Sequence, residues 1–336
     1  MQFRIHVLVF ATTFIHYQGC SEKQVSSNRG FRYSDYRRVK PKKTALQAVD
    51  GSLIQARGIA NVGGTSNYNS LWQVLAHIRA FQASIQALPK TGRTSPDGTF
   101  LAGARGVMGE VWKDKQPALN PTSYFESLAV FNPSRSGNLL EADALDGFLY
   151  LNTHIREIAG RINGKPFDIF QTKYAAYCAL NPTHDPPANT EQISDTFLRL
   201  RVTSGVGKTL VLEDMIKGYF EDGHSCDEGS RVTRLVTPPR VLVLALEADR
   251  PGTPISIPAD LDLTQAVTSA ARSFTYKLIG AIYREESAEG EQHFVADYFN
   301  TRHKAWIHTN DAKTFTIEGP PESSPIARML FYVRSN

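Results

Sequence analysis

The chain has 336 residues, 41% of them hydrophobic and 21% charged, which is enough to bury a large core and excludes an intrinsically disordered protein. A net charge of +4 with scattered basic residues argues against a nucleic-acid partner, and three cysteines are too few for a disulfide scaffold.

At the N-terminus Arg4 precedes an apolar run, Ile5 to Ile15, too short to cross a bilayer but suited to a secretory signal. Gly19-Cys20 resembles the end of a lipobox, with Tyr17 and Gln18 standing where small or aliphatic residues are usual. Residues 1–20 therefore read as an export signal, of the lipoprotein type if Cys20 takes a lipid anchor. Residues 21–50 read as a basic polar linker, and 51–336 as the folded domain.

Gly58 to Leu75 organises the rest. A glycine-rich turn runs into an apolar helix without a break, with Ser66 at the junction. Helix N-termini present unpaired N–H groups and partial positive charge, so a nucleophile delivered there is well placed to react. Leu71, Val74, Leu75, Ile78 and Phe81 predict one helix ending before Pro89. Thr91 to Pro133 shows no strong period. Ala142 to Ile162 predicts a second amphipathic helix, Phe167 to Tyr177 an aromatic strand, and Ala188 to Val202 a strand.

Gly205-Val206-Gly207-Lys208-Thr209 fails as a phosphate loop, because Val202 occupies the position of its first glycine. From Val232 the chain is β-rich, with strands predicted around Val241–Leu246, Tyr276–Tyr283, His293–Tyr298, Ala305–His308 and Met329–Val333. Helices first and strands later indicate an α+β fold, a helical lobe against a mostly antiparallel sheet.

Candidate chemistry lies in Ser66, in His293 on a strand, and in Asn310-Asp311 after the next strand. Antiparallel neighbours would set His293 beside Asn310, which can orient an imidazole. Asn61 on the glycine turn offers an amide to an oxyanion. Singly, each residue also suits a structural role.

Together they resemble the ubiquitin-specific protease family. Its first box, Gly-Leu-x-Asn-x-Gly-Asn-Thr-Cys-Tyr-x-Asn-Ser-x-x-Gln-x-Leu, is matched in register by Gly58, Asn61, Gly63, Thr65, Asn69, Ser70, Gln73 and Leu75. Its second box is matched by His293-Phe294-Val295-Ala296, then Trp306 and Asn310-Asp311. Asp143 to Leu149, Thr209 to Phe220, Pro238 to Leu242, Ile257 to Leu263 and Phe331 to Arg334 resemble further family segments in order.

The resemblance implies a papain-like thumb, palm and fingers, with fingers between about Phe167 and Val236. It implies ubiquitin or a ubiquitin-like modifier as partner, Ser66 in the nucleophile's place, His293 as general base, Asn310 as its orienting partner and Asn61 as oxyanion donor. Asp311 is a secondary candidate. No cofactor is implied.

Two departures matter. The family has cysteine where Ser66 stands, so activity is expected to be impaired. The exchange reads as engineered or as that of a natural pseudoenzyme, with a serine hydrolase as a third option. The family's finger zinc needs four ligands, whereas Cys178 and Cys226 with His224 nearby do not complete a set, so no metal is expected. The resemblance makes Cys178 and Cys226 neighbours across the finger, so export would allow them to pair as a disulfide; two separate buried thiols are the alternative. With the export signal, the resemblance suggests a secreted or membrane-anchored, host-directed effector. The alternatives are a cytosolic protein and a non-catalytic ubiquitin-binding adaptor.

Overall fold

The structure is a computed structural model that describes residues 56–90, 95–113, 117–128, 143–164, 167–179, 190, 192–202, 208–221, 225–226, 229–248, 253–267, 273–286, 292–324 and 326–335. The signal, lipobox and linker readings of residues 1–50 lie outside them.

Among the described residues six α-helices precede or interrupt the strands: α1 (Ser66–His77), α2 (Arg79–Ala87), α3 (Pro96–Val111), α4 (Thr122–Ser127), α5 (Ala144–Asn163) and α6 (Leu212–Phe220). The strands are β1 (Thr172–Ala179), β2 (Gln192–Asp195), β3 (Leu198–Val202), β4 (Leu210–Val211), β5 (Ser225–Cys226), β6 (Gly229–Thr237), β7 (Val241–Ala248), β8 (Ile255–Ser256), β9 (Asp260–Asp262), β10 (Thr275–Glu286), β11 (Gln292–Asn300), β12 (Ala305–Asn310), β13 (Lys313–Ile317), β14 (Ser323–Ser324) and β15 (Ala327–Arg334).

The main sheet has the order β13-β12-β11-β10-β15-β7-β3, with β9 also on β10. It is antiparallel except where β3 joins β7 in parallel. One face packs on the helices, burying Val241, Val243, Ala296, Tyr298 and Phe331 with Trp72, Phe81 and Phe148. The opposite face buries Leu242, Leu244, Tyr276, Val295 and Leu330 against α6 residues Leu212, Ile216 and Phe220. Alternation along β7 feeds both cores, so its sequence is a continuous apolar run. A second sheet, β2-β1-β6-β5, spans the segment assigned to the fingers, and β14-β8-β4 forms a small third.

The α+β architecture agrees with the sequence reading, but three elements differ. The helix expected from Ser66 to Pro89 is broken at Ile78, whose backbone is extended (φ −84°, ψ 103°). The aperiodic stretch after Thr91 contains the sixteen-residue α3, begun by Ser95, which accepts from the Gly98 N–H, and by Pro96. The strand expected over Ala188 to Val202 is two, β2 in the finger sheet and β3 in the main sheet.

Cys178 on β1 is disulfide-bonded and therefore supplies no thiolate to a metal. The side chain of Cys226 lies outside the described residues, so the expected pair is described from one end.

Candidate active site

All twelve residues of α1 are buried, between the helical lobe and the sheet. A helix enclosed on every side must satisfy its polar side chains internally. The Asn69 amide nitrogen does so by donating to the Ile59 and Ala60 carbonyls and, at 2.7 Å, to Asp311 Oδ1. Gln73 donates to the Arg57 carbonyl at 2.9 Å. Both bonds draw the segment before the glycine turn onto the helix.

That segment is also held by backbone. The Ile59 N–H donates to Asp311 O at 3.0 Å, and the Leu119 N–H to Gly58 O at 2.8 Å. Gly58 is needed here, because a Cβ on it would lie 2.3 Å from the Ala312 carbonyl oxygen. The turn that follows uses two left-handed glycines, Gly63 (φ 93°) and Gly64 (φ 74°). Asn61 closes it by accepting from the Thr65 N–H at 3.1 Å, and the Val62 N–H returns to Thr65 Oγ1 at 3.1 Å.

Ser66 is the first residue of α1 and is 4% exposed. Its Oγ accepts from the Phe294 N–H at 3.2 Å. His293, the neighbour of Phe294 on β11, is partly exposed. Its Nε2 lies 3.1 Å from Asn310 Oδ1 at the end of β12. An amide oxygen only accepts, so this pairing suits a ring with its hydrogen on Nε2 and the lone pair on Nδ1, the tautomer a general base requires.

Asp311 lies behind this pair. Its Oδ2 is 3.8 Å from His293 Nε2 and accepts from the Asn61 amide at 3.0 Å. Asp311 reaches this place from the β12–β13 turn with a left-handed backbone, φ 51°, which a short polar side chain tolerates. Ser66, His293, Asn310, Asn61 and Asp311 thus converge from segments far apart in sequence. Sequence reasoning gave no role to Asn69, although it stands within the matched box, or to the Phe294 N–H, which no side chain signals.

Among the described residues no group of three His, Cys, Asp or Glu side chains is placed to hold a metal.

The ubiquitin carboxyl-terminal hydrolase family model matches residues 57–332, a span running from the segment before the glycine turn into the last strand. The chain belongs to the ubiquitin carboxyl-terminal hydrolase family. No curated protein matches it. Solved structures that resemble it include the SAGA Ubp8/Sgf11/Sus1/Sgf73 DUB module, with 18% identity, 90% of this chain and 72% of the other covered, and a TM-score of 0.65. A yeast SAGA DUB module carrying a mutant Sgf73 shows 17% identity, coverage of 88% and 70%, and a TM-score of 0.61. The module bound to ubiquitin aldehyde shows 18% identity, coverage of 88% and 71%, and a TM-score of 0.64. At these identities the likeness is one of fold, and it agrees with the thumb, palm and fingers that the motifs imply.

Proposed function

We propose that this hydrolase-family domain binds ubiquitin and holds its C-terminal tail against Ser66, with isopeptide cleavage impaired by the missing thiol. The observation behind this reading is the hydroxyl of Ser66 at the start of α1, bonded to β11 next to His293, which pairs with Asn310 of β12. A cysteine there would ionise readily at a helix start next to an imidazole. A serine hydroxyl does not, and must lose its proton during attack itself. His293 Nδ1 would accept that proton, Asn310 would hold the ring, and the Asn61 amide would donate to the oxyanion. The ubiquitin-bound module of similar fold supports the choice of partner.

The test is cleavage of a fluorogenic ubiquitin C-terminal amide. Ser66→Cys is expected to exceed the unaltered chain by at least ~10²-fold, the scale of one general-base contribution, and His293→Ala should abolish the gain. Calorimetry should detect ubiquitin binding by both forms. Absence of binding by either form removes the ubiquitin assignment.

A working serine hydrolase is the second reading, favoured by one observation. The Phe294 N–H aimed at Ser66 Oγ would stabilise an alkoxide. Activity already present without Ser66→Cys, and lost on His293→Ala, would establish it. Binding without cleavage by either form would leave a non-catalytic adaptor.

A further inference from the structure

The main sheet forks where the candidate site is built. β11 and β12 pair from Asn300↔Ala305 to Ala296↔Thr309. Beyond that point β11 continues on β10 alone, through Arg284↔Phe294 and Glu285↔His293. Asn310 instead pairs with Lys313 of β13. The opening lets the Phe294 N–H leave the ladder for Ser66 Oγ and leaves His293 and Asn310 to meet across the gap.

The fork is stitched just before it opens. Asp297 and His308 are directly opposed, one pair from the end of the ladder. His308 Nδ1 lies 2.7 Å from Asp297 Oδ1, and Tyr283 on β10 donates its hydroxyl to Asp297 Oδ2 at 2.8 Å. Three strands are tied by one carboxylate that is 8% exposed. His308 also packs on Phe315 of β13, with ring centroids 4.6 Å apart. Strand alternation puts all these groups on the face of His293 and Asn310, His308 two residues before Asn310 and Asp297 four after His293.

We propose that Asp297 and His308 are positioning residues, which set the angle at which β11 and β12 part and so hold Asn310 within hydrogen-bonding reach of His293. Two strand residues beyond His308 make a lever of about 7 Å. A change of about ten degrees in divergence would shift Asn310 by about 1 Å, enough to break its bond to the ring. Ladder hydrogen bonds cannot resist that change, because they end before Asn310. The side-chain tie can, and burial strengthens it.

The experiment is NMR of the histidine-labelled chain, with His293 assigned by its loss in His293→Gln. The unaltered protein should show the Nε2–H tautomer. His308→Phe keeps an aromatic ring against Phe315 but removes the tie, and should move His293 to a mixture of tautomers. Asp297→Asn and Tyr283→Phe should give smaller shifts in the same direction. His308→Asn, whose amide nitrogen stands near the Nδ1 position, should restore the single tautomer.

In the Ser66→Cys background, an arm that rests on the proposed function, His308→Phe should lower kcat by ~10²-fold with KM nearly unchanged. A single unshifted tautomer in folded His308→Phe overturns the proposal. So does collapse of the sheet in every variant, including Asp297→Asn, which would make the tie a general stability element. An inactive Ser66→Cys protein counts against the catalytic reading alone, and the tautomer measurement then decides.

Discussion

The Asp311 carboxylate accepts amide hydrogens from Asn61 and from Asn69 while its backbone holds a left-handed φ. Asp311→Ala would remove the charged acceptor that the two amides share and should cost about 1.5–3 kcal/mol, the scale of a hydrogen bond to a charged group, read as a lower urea midpoint. Gly58 is under a different constraint, of space. Gly58→Ala drives a Cβ into the Ala312 backbone, which cannot rotate away as a side chain would. A loss of about 1–3 kcal/mol is expected by the same measurement. These two residues differ in legibility. The matched box includes Gly58, but nothing in the sequence says that Asp311 serves the glycine turn as well as the histidine. That information lies in the meeting of two segments, and only the folded chain supplies it.

At the level of elements, strands were easier to read than helices. β7, β11 and β15 stand out because two-sided burial makes apolar runs, and β12 because it alternates. α3 was hidden by its own packing. Four of its sixteen residues are glycine, which weakens any helical reading. At Gly106 a Cβ would lie 2.3 Å from the Tyr124 ring, and at Gly103 2.8 Å from Ser127 Cβ, so α4 approaches a helix stripped of side chains. The break at Ile78 carries no Gly or Pro, so periodicity runs through it.

One element-level contact should be measurable. Arg328 on β15 donates to both oxygens of Asp143, the N-cap of α5, and to the Leu246 carbonyl. Arg328→Met should lower Tm by several degrees, since it frees an acceptor pair between a helix start and the sheet.

Across the whole molecule, several carboxylates make the fold sensitive to acid. The Arg161 guanidinium holds Asp97 below the usual range, Lys113 and then Arg57 do the same for Glu110, and Thr264 for Asp262. Groups with lowered folded values contribute fully above the ordinary carboxylate range and lose that contribution as pH falls through it and below. The urea midpoint should therefore drop between pH 5 and about pH 3, and added salt should reduce the drop, because these pairs lie near the surface.

The reverse holds for buried phenols. Burial raises Tyr276 and Tyr332 well above the ordinary tyrosine range, so unfolding should be favoured increasingly above about pH 10. The finger sheet responds to a separate variable. Reduction of the Cys178 disulfide should raise hydrogen exchange in β1 and its neighbours while leaving α1 and β11 protected.

The place of β15 has a consequence for synthesis. This strand comes last in the chain yet lies between β10 and β7, in the interior of the main sheet. A growing polypeptide holds the two flanks of that sheet apart until Ala327–Arg334 have left the ribosome. At about ten residues per second the ~170 residues from the end of α5 to the end of β15 take roughly 17 s to follow the helical lobe. Until β15 arrives, the edges of β7 and β10 that it pairs lie open, each a template for mispairing with another strand.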